Sequence, residues 1–217
     1  MSLTLVIANK AYSSWSFRPW IVMRHFEIAF KEITIPMAQE TTRTDMLRYA
    51  PTGKCPSLHD GDITIWDSLA IIEYLAESFP EKAIWPRDKA ARAQARSLSA
   101  EMHSGFVNLR SLLPMNMRRP PAKRALTPEA AADLERLESA FATAQQAFGQ
   151  GGPFLMGAFS AVDAMFAPVV NRLHVYDVAV SAPTKAYMEA VMALPAWRDW
   201  ETDARAESWI IDKYEGP

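Results

Sequence analysis

The chain has 217 residues, long for one small domain and comfortable for two compact ones. Hydrophobic residues make up 49% of it, enough for a sizeable core, and the formal net charge is only -2. That balance holds no basic surplus for nucleic acid or for an anionic membrane surface.

The opening MSLTLVIANK lacks both a long apolar run and a cleavage site, so neither a signal peptide nor a membrane span is expected there. Leu3 to Ala8 reads as a short buried strand closed by Asn9-Lys10. Ser13-Ser14-Trp15-Ser16 suits a helix N-cap. Pro19, tolerated in a first helical turn, dates the start of a helix running to about Ile28. Glu32 to Ile35 alternates as a second strand ended by Pro36, and Asp45 to Tyr49 is a short helix stopped by Ala50-Pro51 and Gly53. Ser57 to Asp60 and Ile63 to Trp66 form a hairpin across Gly61-Asp62. Ser68 to Ser78 is a helix with Leu69, Ile72 and Leu75 along one face. The order β-α-β, helix, β-β-α predicts a mixed four-stranded sheet with packed helices, a thioredoxin-like α/β domain over residues 1–79.

Residues 80–88, with Pro80 and Pro86, read as a linker, and residues 89–217 as an all-α domain. There Ala95, Leu98, Met102, Phe106, Leu109 and Leu113 recur at helical spacing. Thr127-Pro128-Glu129 starts a helix, Gly149 to Gly157 is a glycine-rich connector, and Ser160-Ala161-Val162-Asp163 opens an apolar helix as a capping box. Further helices start near Pro183 and Pro195. Arg118, Arg119, Lys123 and Arg124 flank Pro120-Pro121 and read first as a solvated helix end, second as a basic rim attracting acidic substrates.

Three patterns in the first domain carry chemistry. In Gly53-Lys54-Cys55-Pro56-Ser57-Leu58 a proline opens a strand; if its peptide bond is cis, the preceding backbone N–H and C=O turn outward and can hold an extended peptide. In Trp66-Asp67-Ser68-Leu69 a helix N-terminus offers free N–H groups for a carboxylate, the Ser68 hydroxyl a further donor, and Asp67 a partner for an ammonium group. Simple N-capping is the alternative for that pair. In Tyr12-Ser13-Ser14-Trp15-Ser16-Phe17-Arg18 a hydroxyl before a helix can donate to a thiolate. Lowering a thiol pKa by about two units needs about 2.7 kcal/mol. One charge-assisted hydrogen bond at about 1.5–3 kcal/mol plus a helix terminus at about 0.3–1 suffices.

Together these patterns, with FLMGAFSAVDAMFAP and the switch to an all-helical second half, resemble the cytosolic glutathione S-transferase family, in a zeta-like or other serine-type bacterial class, over nearly the whole chain. The resemblance implies glutathione as co-substrate and a homodimer meeting near the Ser68 and Ala95 helices; the charge balance, the histidine spacing and the opening segment add the expectations of no nucleic-acid or membrane partner, no metal and a cytoplasmic location. It aligns Ser13 with the serine that activates the thiolate, a one-residue shift making Ser14 the rival. It assigns Lys54, Cys55 and Pro56 to the glycyl and cysteinyl parts of glutathione, and Asp67 and Ser68 to the γ-glutamyl end. Ser160 and Asp163 become a structural cap. A small electrophile would lie between the domains, with Trp15, Met102, His103, Phe106, Arg110, Met115 and Trp209 as candidates. Two positions depart from the family: Cys55 stands where an aliphatic residue is usual, and Trp15 where the zeta class has cysteine.

Other chemistries find little support. His25, His59, His103 and His174 lack metal-ligand spacing, Gly149 to Gly157 lacks a phosphate-loop ending, and a single cysteine excludes an intrachain disulfide and a dithiol redox pair. One cysteine also fits a reducing compartment. The rival readings are a glutathione-dependent isomerase of the maleylacetoacetate type, a dehalogenase or peroxidase, and a non-catalytic binding module.

Overall fold

The computed structural model describes residues 2–215. Four strands form one sheet: β1 (Leu3–Ile7), β2 (Phe30–Thr34), β3 (Ser57–Asp60) and β4 (Ile63–Trp66), in the order β2-β1-β3-β4. β1 runs parallel to β2 and antiparallel to β3, which pairs antiparallel with β4. The parallel pair needs a crossover, supplied by α1 (Ser14–His25), whereas β3 and β4 close through a tight turn at Gly61, φ 57°. Leu3, Leu5 and Ile7 face the main core, where α1 and α3 (Ser68–Ser78) pack, while Val6 and Ala8 face a smaller cluster completed by Ile35 and by Met46 of α2 (Thr42–Leu47). That alternation is the strand period of two.

Beyond a 3-10 turn at Pro80–Lys82 the chain is helical: α4 (Lys89–Ser104), α5 (Val107–Leu112), α6 (Pro128–Phe148), α7 (Ala161–Val175), α8 (Ala182–Met192), α9 (Pro195–Ala206) and α10 (Asp212–Glu215). α1 lies against α7 and α9, and one apolar core runs unbroken from the sheet into the helical part. The fold is thus a thioredoxin-like α/β unit on an all-α one. Among the described residues no helix is long and apolar enough to cross a membrane.

Four local expectations change. Pro19 sits well inside α1, which begins at Ser14, and leaves the Trp15 carbonyl without its usual donor. α1 stops at His25 because Phe26 and Ile28 fold back to hydrogen-bond its last carbonyls, with Glu27 at φ 53°. The apolar repeat from Ala95 to Leu113 is two helices, broken at Gly105-Phe106 where Phe106 takes φ 55°. Of the basic cluster, Arg118 bonds the Glu207 and Trp209 carbonyls at 2.8 and 3.0 Å, and Arg119 and Arg124 stack on Tyr176.

The capping box forms as expected. Asp163 is fully buried and accepts from the N–H groups of Ser160 (2.9 Å) and Leu155 (3.1 Å) and from the Ser160 hydroxyl (3.2 Å). The connector before it needs glycine: a Cβ on Gly157, φ 81°, would stand 2.4 Å from the Gln150 carbonyl oxygen.

Candidate active site between the sheet and the helical half

The turn from β1 into α1 is organised by buried Asn9. Its carbonyl accepts the N–H groups of Tyr12 (3.2 Å) and Ser13 (2.8 Å), and its Oδ1 accepts that of Met37 (2.7 Å). Ser13 is the N-cap: its Oγ accepts the Ser16 N–H at 3.4 Å and lies 2.8 Å from the Ser16 Oγ, which in turn accepts the Ala8 N–H at 3.0 Å. The Ser14 hydroxyl, on the first helical residue, makes no hydrogen bond among the described residues. Both serines line a cavity of about 340 Å³, walled by Trp15, Met37, Val107, Met115 and Tyr214 and by the guanidinium-bearing Arg110 and Arg172.

A second cavity of about 450 Å³ gathers Lys54, Cys55, Pro56, Trp66, Asp67, Ser68, His103 and again Trp15. The Cys55-Pro56 peptide is cis, and neither the N–H nor the C=O of Cys55 hydrogen-bonds to backbone among the described residues. Asp67 holds φ 76°, ψ 134°, a conformation non-glycine residues rarely adopt, and caps α3 by accepting from Leu69 (2.9 Å) and Ala70 (3.3 Å). Its other oxygen lies 3.3 Å from His103 Nε2. The Ser68 hydroxyl is buried without a partner. A buried hydroxyl left unpaired costs about 1–3 kcal/mol, so its position beside this cavity suits a ligand acceptor. The residues therefore fit a peptide with an anionic end: a Cys55 backbone unpaired among the described residues, a free hydroxyl and backbone N–H at Ser68, and the exposed ammonium of Lys54.

The Cys55 thiol packs on the small cluster around Val6 and Ile35, and burial pushes its pKa up to about 12. It is therefore protonated and unreactive at neutral pH. Alkylation by iodoacetamide at pH 8 should run at least about 100-fold slower than for free cysteine. Rapid labelling would show that the thiol is exposed to the cavity.

Trp15 is the wall the two cavities share. Arg18 stacks on its ring at 4.2 Å and Arg110 at 5.0 Å, and the His103 ring meets it edge-on at 5.1 Å. Of the other electrophile-site candidates, Arg110 and Met115 line the first cavity and His103 the second. Met102 and Phe106 are buried in the core and line neither cavity, Phe106 packing edge-on against Phe166. Trp209 lies outside both cavities, exposed, its carbonyl held by Arg118; the C-terminal aromatic that reaches the site is Tyr214, stacked near Tyr12. Arg172 was missed, although one arginine inside the apolar run of α7 is a readable signal. Among the described residues no three His, Cys, Asp or Glu side chains gather closely enough to hold a metal ion.

Comparison with known proteins fits this geometry. The model of the glutathione S-transferase N-terminal domain matches residues 12–78, and that of the glutathione S-transferase C-terminal domain residues 127–202. A probable maleylacetoacetate isomerase of Caenorhabditis elegans is 33% identical over 100 residues, covering 46% of this chain and 45% of that one. A stringent starvation protein A homologue of Haemophilus ducreyi is 28% identical over 197 residues, 86% of this chain and 88% of its own. A glutathione transferase homologue from Burkholderia gl BGR1, solved with bound glutathione, superposes with a TM-score of 0.72 at 23% identity, over 95% of this chain and all of its own. With both domain models matched in order on this fold, the chain belongs to the glutathione S-transferase family.

Proposed function

We propose that the protein is a serine-type glutathione transferase that joins the glutathione thiolate to small, largely apolar electrophiles. The observation that carries the reading is the buried, unpartnered Ser68 hydroxyl beside Asp67, the cis Pro56 turn and Lys54 in one cavity, with the Ser13–Ser14 loop reached across Trp15. In this reading residues 1–79 bind glutathione, and residues 89–217, beyond the 80–88 linker, supply the electrophile's wall. Ser68 and the α3 N-terminus hold the γ-glutamyl carboxylate, Asp67 its ammonium group, the Cys55 backbone the cysteinyl unit, and Lys54 the glycyl carboxylate. Glutathione supplies the nucleophilic sulfur, and Ser13 donates a hydrogen bond to its thiolate.

Replacing Ser68 with alanine should weaken glutathione binding about 10- to 100-fold, the loss of one hydrogen bond to a charged group. Titration calorimetry of both proteins checks it, and equal affinities would remove the γ-glutamyl end from this cavity. The C. elegans relative's name favours a second reading, glutathione-assisted isomerisation. A product assay separates the two, because an isomerase returns free glutathione. We also propose a homodimer meeting along α3 and α4, where Glu73 and Arg96 already pair at 2.9 Å on the surface; sedimentation measures it.

A further inference from the structure

Three guanidinium groups meet behind the serine loop. Arg18 is fully buried, Arg172 is 5% exposed, and Arg110 is half-buried. None forms a salt bridge among the described residues, and the carboxylate whose field reaches Arg18, that of Asp67, has its second oxygen 3.3 Å from His103 Nε2 rather than on a guanidinium. Arg110 is held in place by the carbonyls of His103 (3.3 Å) and Gly105 (3.1 Å). Arg172 makes no hydrogen bond to protein among the described residues, and its Nε and Nη1 are buried. Yet Arg172 lines the cavity of about 340 Å³ beside Ser13, Ser14 and Arg110.

Burying one uncompensated charge costs several kcal/mol, and placing like charges beside it adds repulsion. An arrangement that costly, open to a cavity, is a receptor waiting for the opposite charge. The remaining wall is apolar and aromatic: Met37, Val107, Pro114, Met115 and Tyr214. We propose that this cavity takes an electrophile with an apolar body and a carboxylate, and that Arg172, aided by Arg110, is the specificity-determining residue that binds that carboxylate. Burial, with Arg110 beside it, draws the Arg172 pKa down to about 9, which leaves it charged at neutral pH. The inference rests on the transferase reading in one respect: that reading seats both carboxylates of glutathione in the other cavity, beyond Trp15.

The test is calorimetry on the full chain with para-nitrobenzoate and para-nitrobenzamide, an acid and its neutral counterpart without a leaving group, under saturating glutathione. The wild type should bind the acid at least about tenfold more tightly than the amide. Arg172→Gln should bring the two within about twofold, and Arg172→Lys, which keeps the charge but loses the planar fork, should fall between. The wild-type ratio needs no variant, so a misfolded Arg172→Gln leaves the proposal testable. Equal binding of acid and amide, no binding of either, or an acid preference kept by Arg172→Gln overturns it. So does a preference seen only without glutathione, which would mean that the tripeptide's own carboxylate fills the site. Turnover of neutral chlorodinitrobenzene, measured in parallel, separates the two claims: conjugation without acid preference leaves the transferase reading standing alone. Acid preference without conjugation of any electrophile leaves the anion site and removes the transferase reading.

Discussion

Replacing Ser13 with alanine should lower kcat for conjugation by about 100-fold while glutathione affinity stays within about threefold. The reason lies in a chain of three groups. The Ala8 N–H donates to the Ser16 Oγ at 3.0 Å, and that oxygen lies 2.8 Å from the Ser13 Oγ, which also accepts the Ser16 N–H at 3.4 Å. A hydroxyl has one proton and two lone pairs. The Ser13 hydroxyl donates to the Ser16 Oγ here, but Ser16 accepts from Ala8 and keeps a proton of its own, so a thiolate beside Ser13 can reverse that bond. Both lone pairs of Ser13 are then used, and its proton is left for a thiolate. The loss of about 1.5–3 kcal/mol falls on the charged thiolate rather than on the anchored ends of the peptide, so it appears in turnover. The same substitution removes an N-cap and should cost about 0.5–2 kcal/mol of stability. Ser14→Ala should leave kcat within about threefold. Steady-state kinetics with chlorodinitrobenzene checks both variants, and the reverse pattern would hand the role to Ser14, whose hydroxyl is free.

Asp163→Ala should destabilise the fold by about 3–5 kcal/mol, measured by urea unfolding. The carboxylate is the acceptor for two backbone N–H groups and one hydroxyl in a fully buried site, and alanine leaves all three unpaired. Each orphaned group costs about 1–3 kcal/mol, part of which relaxation recovers. A loss below about 1 kcal/mol would mean that water or a rotated neighbour replaces the carboxylate. Burial also raises the Asp163 pKa to about 6, despite the N–H donors that oppose the rise. The folded pKa exceeds the unfolded one, near 3.9, so the folded state takes up the proton first. Its contribution favours folding below about pH 4 and is lost as pH rises through 6, a change of about 3 kcal/mol. Asp163→Asn does not titrate there, so its deficit against the wild type should shrink between pH 4 and 7.

Much of this was legible in the amino-acid order because the signals were local. The β3–β4 hairpin, α3 with its Asp67 cap, and the Ser160–Asp163 box each close within a few residues, and all three form over the expected spans. The apolar repeat from Ala95 to Leu113 correctly marked buried positions but gave no sign of the break between α4 and α5. Burial constrains where a side chain points, while the break rests on the left-handed turn at Phe106 after Gly105. Pro19 misled for a related reason: it is compatible with a helix interior when packing against α7 and α9 holds the helix together. What the order could not disclose is what meets over long separations. Tyr12 reaches Glu215 and Arg118, which brings Tyr214 rather than Trp209 to the cavity. Arg18, Arg110 and Arg172 come from three helices, and only their assembly shows a cationic cluster that forms no salt bridge among the described residues.

The most direct test of the whole account is a crystal structure with glutathione bound. The tripeptide should lie in the cavity of Lys54, Cys55 and Ser68, with its γ-glutamyl carboxylate on the Ser68 hydroxyl and the α3 N-terminus. Its sulfur should sit beside Trp15, within hydrogen-bond distance of the Ser13 Oγ, at the mouth of the cavity that holds Arg172. Glutathione seated with a carboxylate on Arg172 and its sulfur turned away from both serines, or no glutathione at all from a saturating soak, would contradict it.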